Sequence, residues 1–317
     1  MRKIILDCDT GHDDAAAITL ALASPELDLL GVTTVMGNLP LEQTYRNTRD
    51  VLAHFQVSVP AIKGNSDPLI RNRWVGSELD RGRFFPDENL SYPEEVDVDA
   101  VTWLKESLER SEEKVILVPL APMTNIAKLM TFYPELVHEK VDRIVCMGGG
   151  YKFGNSTGVA ELNIYADPEA AQVVFSFGIP VVMCGLDVCH NAYITKEDYI
   201  SLLKPIDNKA GQFISRICEE SFSFEEREDI PERFKLWKRP GAIIYDTVPI
   251  IYLLHPEIFD TVKAAISVEC ESEYCDGMTI CNTSPWSNVE KIHTLVLDLD
   301  REAYLSAVRE VLISSEL

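Results

Sequence analysis

The sequence is short of positive charge. Its 317 residues include 29 lysines and arginines against 51 aspartates and glutamates, a formal net charge of −22. Nucleic acids and anionic membranes both attract basic surfaces, so this balance argues against either as a partner. The sequence also has no run of about 18 apolar residues that would predict a membrane span. The apolar stretch after Met1–Lys3 ends at Asp7, unlike a secretory signal, so we expect a cytoplasmic protein.

Cysteine pairs with metal-binding spacing are also missing. The eight cysteines are scattered, and Cys146 and Cys184 lie in apolar runs, which is typical of buried, reduced thiols. Cys270, Cys275 and Cys281 form no C-x-x-C pair, so a zinc site is not expected there. A β-hairpin around Asp276-Gly277 accounts for this region more simply.

What the sequence does have is an alternation of strand-like and helix-like segments. Short apolar, β-branched runs are separated by amphipathic stretches, and no linker or repeat interrupts residues 1–317. This pattern predicts a single α/β domain with an open, mostly parallel, doubly wound sheet and helices on both faces. The predicted strands are Ile4–Leu6, Leu29–Val35, Val115–Val118, Arg143–Met147, Pro180–Cys184, Val262–Val268 and Thr294–Leu299. The predicted helices include Asp14–Ala23, Leu41–His54 and Arg301–Leu312.

The carboxyl ends of parallel strands are where such sheets bind ligands. The first predicted strand runs into Asp7, Asp9, Asp13 and Asp14, four carboxylates in eight residues. Asp13 or Asp14 could cap the following helix. Capping does not explain Asp7 and Asp9, whose spacing puts them on one face of a strand. Close carboxylates repel each other unless a cation intervenes, and oxygen ligands suit Ca²⁺ or Mg²⁺.

A second cluster follows the strand at Arg143–Met147. Three glycines, Gly148 to Gly150, lead to Asn155, Glu161 and Asn163. The glycine spacing is not that of a dinucleotide loop, but it lets the main chain approach a ligand closely. Amides and a carboxylate together suit a polyhydroxylated ligand such as a sugar. Alternatively, these side chains belong to a solvated loop.

These motifs together resemble one family. The stretches ILDCDTGHDDA, TTVMGN, LVPLAPMTNIA, AELNIYADPEAA and GLDVCH are similar to those of the inosine-uridine preferring nucleoside hydrolases, and the resemblance spans nearly the whole chain. It implies Ca²⁺-dependent hydrolysis of the N-glycosidic bond of ribonucleosides, in a homodimer or homotetramer. It implies that Asp9 activates a water molecule.

The resemblance also assigns roles to individual residues. Calcium ligands would be Asp7, Asp9, Asp14, Asp246 and the main-chain oxygen of Leu120. Residues against the ribose would be Asp13, Asn38, Met147, Asn155, Glu161 and Asn163. A bound cation lowers the pKa of water and a carboxylate can accept the proton, so the implied chemistry is consistent with these residue types.

The sequence departs from the family where the base would leave. Many members have a histidine directly before the last metal-binding aspartate, but here that residue is Tyr245. The stretch Arg71–Asp80, where some members have another histidine, contains none. Tyrosine is the weaker proton donor at pH 7. Candidates for the base pocket are therefore Tyr245, Trp237, Phe234 and His190, each of which could alternatively serve packing alone.

Three functions remain open at this stage. The first is the Ca²⁺-dependent nucleoside N-ribohydrolase. The second is a non-catalytic binder of nucleosides or ribose that lost activation of the leaving base. The third is a Mg²⁺-dependent phosphatase of the haloacid dehalogenase type, which also begins with a strand and D-x-D. That class has Thr or Val at the fifth position of the motif, where this chain has Gly11.

Overall fold

A computed structural model describes residues 1–71, 84–85, 89–225 and 240–317. The strands are β1 Arg2–Cys8, β2 Leu27–Thr34, β3 Ala61–Ile62, β4 Val115–Pro119, β5 Val141–Met147, β6 Val181–Cys184, β7 Phe259–Val268, β8 Thr279–Asn282 and β9 His293–Leu299. The helices are α1 His12–Ala23, α2 Leu41–Phe55, α3 Ala100–Arg110, α4 Thr124–Phe132, α5 Pro134–Lys140, α6 Leu162–Ala166, α7 Pro168–Ser176, α8 Leu186–Cys189, α9 Lys196–Asp198, α10 Lys209–Glu225, α11 Thr247–Leu254 and α12 Arg301–Ile313. A π-helical turn follows α9 at Tyr199–Leu203, and a 3₁₀ turn follows α11 at Pro256–Ile258.

The strands form one sheet in the order β3-β2-β1-β4-β5-β6-β9-β7-β8. Neighbours from β3 through β9 are parallel, and β7 and β8 add an antiparallel edge. The sequence order reverses direction at β1, with β2 on one side and β4 on the other. This confirms the predicted doubly wound α/β fold and places a topological switch point at the end of β1.

Helices cover both faces of the sheet. Along β1, Ile4, Leu6 and Cys8 pack into one apolar cluster, and Ile5 packs into the cluster on the opposite face. Successive side chains of a strand point to opposite faces, so a strand covered on both sides becomes continuously apolar. That is why the sequence shows continuous apolar runs at these strands, and not apolar residues alternating with polar ones.

The predicted boundaries differ from the observed ones in a few places. β1 begins at Arg2 and ends at Cys8, because its polar ends also pair with β2. Helix α1 begins at His12 rather than Asp14, with Gly11 as its N-cap. The strand β3 was not predicted, since two residues are too few to give a pattern. The β-hairpin around Asp276-Gly277 is confirmed: β7 and β8 pair across it, and Gly277 has φ of +80°.

Two further features of the fold concern its cysteines and its helices. All eight cysteines are free thiols. Within the described ranges, no helix is both long and apolar enough to cross a bilayer.

Gly31 in β2 offers a test of the packing between the sheet and α3. A Cβ atom there would lie 2.3 Å from Cη2 of Trp103, so Gly31→Ala forces the indole to move. We expect the free energy of unfolding to fall by about 1–3 kcal/mol, measured by urea titration. Gly158→Ala is the matched control, because nothing lies within 4 Å of its added methyl group. Equal stability of the two variants would contradict this account of the interface.

Candidate active site

The described segments that follow β1, β2, β4 and β5 meet at one edge of the sheet. The main-chain N–H of Asn38, after β2, donates to Oδ2 of Asp9. The N–H of Leu120, after β4, donates to the carbonyl of Asp7 at 2.8 Å. Asn163, after β5, donates to the carbonyl of Leu120. The structure therefore brings together segments that are distant in sequence, as the parallel sheet requires.

Asp7 is held from one side only. Its Oδ1 accepts hydrogen bonds from Thr33 Oγ1 at 2.6 Å and from Asn125 Nδ2 at 2.7 Å. Its Oδ2 is buried and has no hydrogen-bond partner in the described part of the chain. Burial raises the pKa of Asp7 to about 7, because the charged form loses its hydration. Neither Thr33 nor Asn125 is among the predicted site residues.

Asp9 lies one residue beyond the end of β1, so of the two carboxylates only Asp7 belongs to the strand itself. The chain turns there, and the N–H of Asp9 donates to Asp14 Oδ1 at 3.2 Å. Oδ1 of Asp9 has no partner among the described residues. Burial and the charge of Asp14 raise the pKa of Asp9 well above its usual value.

Asp14 both caps α1 and belongs to the carboxylate cluster. Its Oδ2 accepts the N–H of Gly11 at 2.9 Å, which completes the first turn of the helix. Burial raises the pKa of Asp14 to about 7. The neighbouring Asp13 is half-buried, and its Oδ2 accepts the N–H of Tyr245 at 3.4 Å. Capping therefore accounts for the contacts of Asp14 but not for its burial beside other carboxylates.

Asp246 joins this cluster from the far end of the sequence. It is the residue before α11 and is 4% exposed. Burial raises its pKa well above the usual value, and the charges of Asp14, Asp13 and Asp9 raise it further. The four buried carboxylates of Asp7, Asp9, Asp14 and Asp246 are called here the carboxylate cluster. The charges of all four raise the pKa of the Cys8 thiol, and those of Asp9 and Asp14 disfavour the charged form of Asp246.

Glu161 and Asn163 form the second side of the site. Glu161 caps α6 and accepts the N–H of Gly149 at 2.9 Å, and burial raises its pKa. Asn163 Nδ2 donates to the carbonyl oxygens of Leu120 and Met147, at 2.9 and 3.1 Å. The Leu120 carbonyl therefore already accepts one hydrogen bond but keeps its second lone pair.

The remaining predicted site residues differ in how far they are exposed. Asn155 is exposed, on a turn where its N–H donates to the carbonyl of Ala160 at 3.1 Å. Tyr245 is half-buried next to the cluster, and its hydroxyl oxygen lies 3.3 Å from Nε2 of the buried His190. Trp237 and Phe234 lie outside the described residues.

Sequence reasoning missed the role of Gly37 as well as those of Thr33 and Asn125. A Cβ atom on Gly37 would lie 2.1 Å from Oδ2 of Asp9 and 2.9 Å from Cδ of Pro122. Only glycine therefore lets the chain after β2 pass so close to Asp9. The signal was present, because Gly37 comes three residues after the end of β2 and Asn125 six residues after the end of β4.

The donor set suits a hard cation. All the side chains of the cluster are carboxylates, and two of their buried oxygens, Asp7 Oδ2 and Asp9 Oδ1, have no described partner. Buried polar atoms are normally satisfied, so these two require either a proton or a positive ligand. Across the described ranges, however, no three His, Cys, Asp or Glu side chains already stand as a formed metal cage. A cation would fit only with adjustment of these side chains and help from main-chain oxygen.

Comparison with known proteins identifies the family that this chain resembles. The family model of the inosine-uridine preferring nucleoside hydrolases matches residues 4–306. The pyrimidine-specific ribonucleoside hydrolase RihA of Escherichia coli O1:K1 is 39% identical over 314 residues, covering 97% of each chain. The solved purine-preferring ribonucleoside hydrolase of Gardnerella vaginalis superimposes with a TM-score of 0.84 at 27% identity, covering 99% of this chain and 98% of that one. A plant nucleoside hydrolase, PpNRh1, gives 0.82 at 26% identity, covering 98% and 99%.

The fold and the comparisons define a hydrolase of N-glycosidic bonds that is built on a doubly wound α/β sheet. The chain belongs to the inosine-uridine preferring nucleoside hydrolase family. The resemblance found in the sequence is thereby confirmed. The phosphatase alternative loses its basis. The D-x-D segment that suggested it is part of the match to the nucleoside hydrolase family model, which runs from residue 4 to residue 306.

Gly37 gives a test of the geometry around Asp9. In Gly37→Ala, the methyl group must displace the Asp9 carboxylate or the segment that carries Asn38. We expect kcat for nucleoside hydrolysis to fall by about 10²-fold or more, since a displacement of 1 Å at a reacting group has that order of effect. Gly158→Ala is the control for the added methyl group, and full activity of Gly37→Ala would contradict the close approach.

Proposed function

We propose that this protein hydrolyses ribonucleosides to ribose and free base with bound Ca²⁺, and that Asp9 accepts the proton of the attacking water. The observation that carries the proposal is the pair of buried, unpartnered oxygens, Asp7 Oδ2 and Asp9 Oδ1, within the carboxylate cluster. A nucleoside hydrolase needs both a cation and a base near the anomeric carbon, and these two oxygens suit the two tasks.

The cation would be held by the carboxylate cluster and the Leu120 carbonyl oxygen. Ca²⁺ accepts six to eight oxygen ligands in flexible geometry, which suits a set of carboxylates and a carbonyl that must adjust to close around it. When bound, Ca²⁺ would lower the pKa of a water molecule and favour binding of adjacent hydroxyl groups. Thr33 and Asn125 support this role of Asp7, since they fix the oxygen that faces away from the cation.

Asp9 is the base because its two oxygens differ. Oδ2 is engaged by the N–H of Asn38, which fixes the orientation of the carboxylate. Oδ1 keeps its lone pairs for a proton, and its surroundings disfavour the charged form, so protonation in the transition state is eased. General-base catalysis requires a base that is fixed in position and keeps a lone pair for the proton of the attacking water.

The ribose would lie between the cluster and the second side of the site. Glu161 and Asn163 are buried there, and Met147 at the end of β5 provides an apolar contact. Asp13 and Asn38 border the same edge from α1 and from the segment after β2. As the glycosidic bond breaks, positive charge develops on the sugar, and nearby carboxylates stabilise it. Asn155 lies on an exposed turn, and its contact with the sugar is part of the proposal.

The identity of the base is best sought among pyrimidine ribonucleosides first. The relatives at 39% identity are named pyrimidine-specific, whereas a solved structure at 27% is named purine-preferring. The cytoplasmic location and the homodimer or homotetramer stay predictions from the sequence.

Release of ribose tests the function. Purified protein with Ca²⁺ should release free ribose from uridine, cytidine or inosine, and Asp9→Asn should lower kcat by about 10²- to 10⁴-fold while the fold is retained. Asp260→Asn, an exposed aspartate on β7, is the control for the same change of charge. If the unaltered protein binds nucleosides without releasing ribose, and Asp9→Asn binds them equally well, the chain is a binder and the proposal fails.

Thermal unfolding tests the cation separately from activity. Ca²⁺ at 100 times its Kd should stabilise the folded protein by about 2.7 kcal/mol relative to the protein in EDTA. Asp7→Asn keeps an acceptor for Thr33 and Asn125 but removes the charge, so it should weaken the effect of Ca²⁺ strongly. An equal rise in Tm for both proteins would show that the cation binds elsewhere.

A further inference from the structure

Two histidines are almost completely buried, and their ring nitrogens are used differently. His293 is 3% exposed; its Nδ1 accepts the N–H of Val181 at 3.2 Å and its Nε2 lies 2.9 Å from the carbonyl of Phe175. Both contacts are to the main chain, as in a structural histidine. His190 is 2% exposed, and its Nε2 lies 3.3 Å from the hydroxyl oxygen of Tyr245.

The position of Tyr245 connects its contact with His190 to the carboxylate cluster. Its N–H donates to Asp13, and the next residue, Asp246, belongs to the carboxylate cluster. Tyr245 is half-buried, while His190, at the C-terminal end of α8, is buried behind it. The main chain of Tyr245 thus lies beside the cluster, and its hydroxyl oxygen is in contact with an imidazole that is almost fully buried.

On this side of the site, the half-buried rings of Phe153 and Tyr245 both pack against the buried ring of His190. The ring centroids of Phe153 and His190 are 5.0 Å apart, and those of His190 and Tyr245 are 5.9 Å apart. The three residues come from the segments after β5, after β6 and before α11. A wall of aromatic rings with one polar group suits a planar heteroaromatic ring that carries carbonyl oxygens. That is the chemistry of a nucleobase.

We propose that the Tyr245 hydroxyl donates a hydrogen bond to the leaving base, and that His190 is the positioning residue that fixes the direction of this hydroxyl. The inference rests on the proposed ribonucleoside hydrolysis. In the tautomer with hydrogen on Nε2, His190 donates to the phenolic oxygen, so the O–H of Tyr245 is directed away from the imidazole.

The electron balance explains why such a donor matters. The C1′–N bond breaks and its electron pair goes to the base, while water forms the C1′–O bond and gives its proton to Asp9. Negative charge therefore accumulates on the ring nitrogen and carbonyl oxygens of the base, which afterwards takes a proton from solvent. A hydrogen bond to a group that becomes charged strengthens as the bond breaks, so it lowers the barrier to departure.

A comparison of leaving groups tests the pair. The substrates are uridine and p-nitrophenyl β-D-ribofuranoside, whose aryl oxide leaves without such help. Tyr245→Phe should lower kcat for uridine by about 10- to 100-fold, the value of a hydrogen bond to a charged group, and should lower kcat for the aryl riboside much less. His190→Phe should change the same ratio in the same direction. The double variant should be no worse than Tyr245→Phe, because the two residues act as a unit.

Tyr252→Phe is the matched control, a tyrosine on α11 whose ring packs on Phe259 at 5.4 Å. It should leave the ratio of the two rates unchanged. Tyr245→Phe keeps the ring, so it decides the question even where His190→Phe does not fold.

Four results would overturn the inference. An equal loss on both substrates would assign Tyr245 to the ribose half or to packing. Additive losses in the double variant would separate His190 from Tyr245. No turnover of either substrate by the unaltered protein, with Ca²⁺ present, would overturn the proposed function itself. Turnover of the aryl riboside alone would leave the hydrolysis machinery standing and refute base activation by this pair.

Discussion

Burial of like charges at one edge of the sheet is the constraint on which this structure depends. The four carboxylates of the cluster are almost inaccessible to solvent, and Asp14 disfavours the ionised forms of both Asp9 and Asp246. An uncompensated group of this kind costs free energy, since a buried polar atom without a partner is destabilising by about 1–3 kcal/mol. The fold tolerates the cluster because the remaining oxygens are fixed by N–H and O–H donors from several segments. A bound cation would offset what these donors leave uncompensated.

The doubly wound topology supplies those donors. The switch point at β1 places β2 on one side of Asp7 and β4 on the other, so Thr33 and Asn125 reach the same carboxylate oxygen from opposite sides. The segment after β2 reaches Asp9 only because Gly37 has no side chain. Sheet order and one glycine therefore determine which oxygen of each carboxylate is available for chemistry.

Local sequence patterns were sufficient to predict part of the fold and of the site and insufficient to predict the remainder. The strands other than β3 and β8, a cap of α1 by Asp13 or Asp14 and the hairpin at Asp276-Gly277 follow from residues close in sequence, so the sequence predicted them. The partners of Asp7 and the contact of His190 with Tyr245 are between segments far apart, and neither residue in such a pair carries a local signal. Asn155 is exposed, which a motif match does not predict, and its contact with the ribose stays a prediction. The contacts of Asp9 just beyond β1, with Asp14 and Asn38, also join residues that no local pattern pairs.

The antiparallel edge of the sheet also belongs to the argument about the site. Thr279 Oγ1, at the start of β8, accepts the N–H of Gly150 at 3.0 Å and donates to its carbonyl at 2.7 Å. Gly149 adopts φ of +78° directly before it, and its N–H reaches Glu161. The hairpin thus fixes the glycine segment that leads to Phe153 on the base side and to Glu161 on the ribose side. The two halves of the site are therefore coupled through one turn of main chain, so a change in β8 should alter the positions of both.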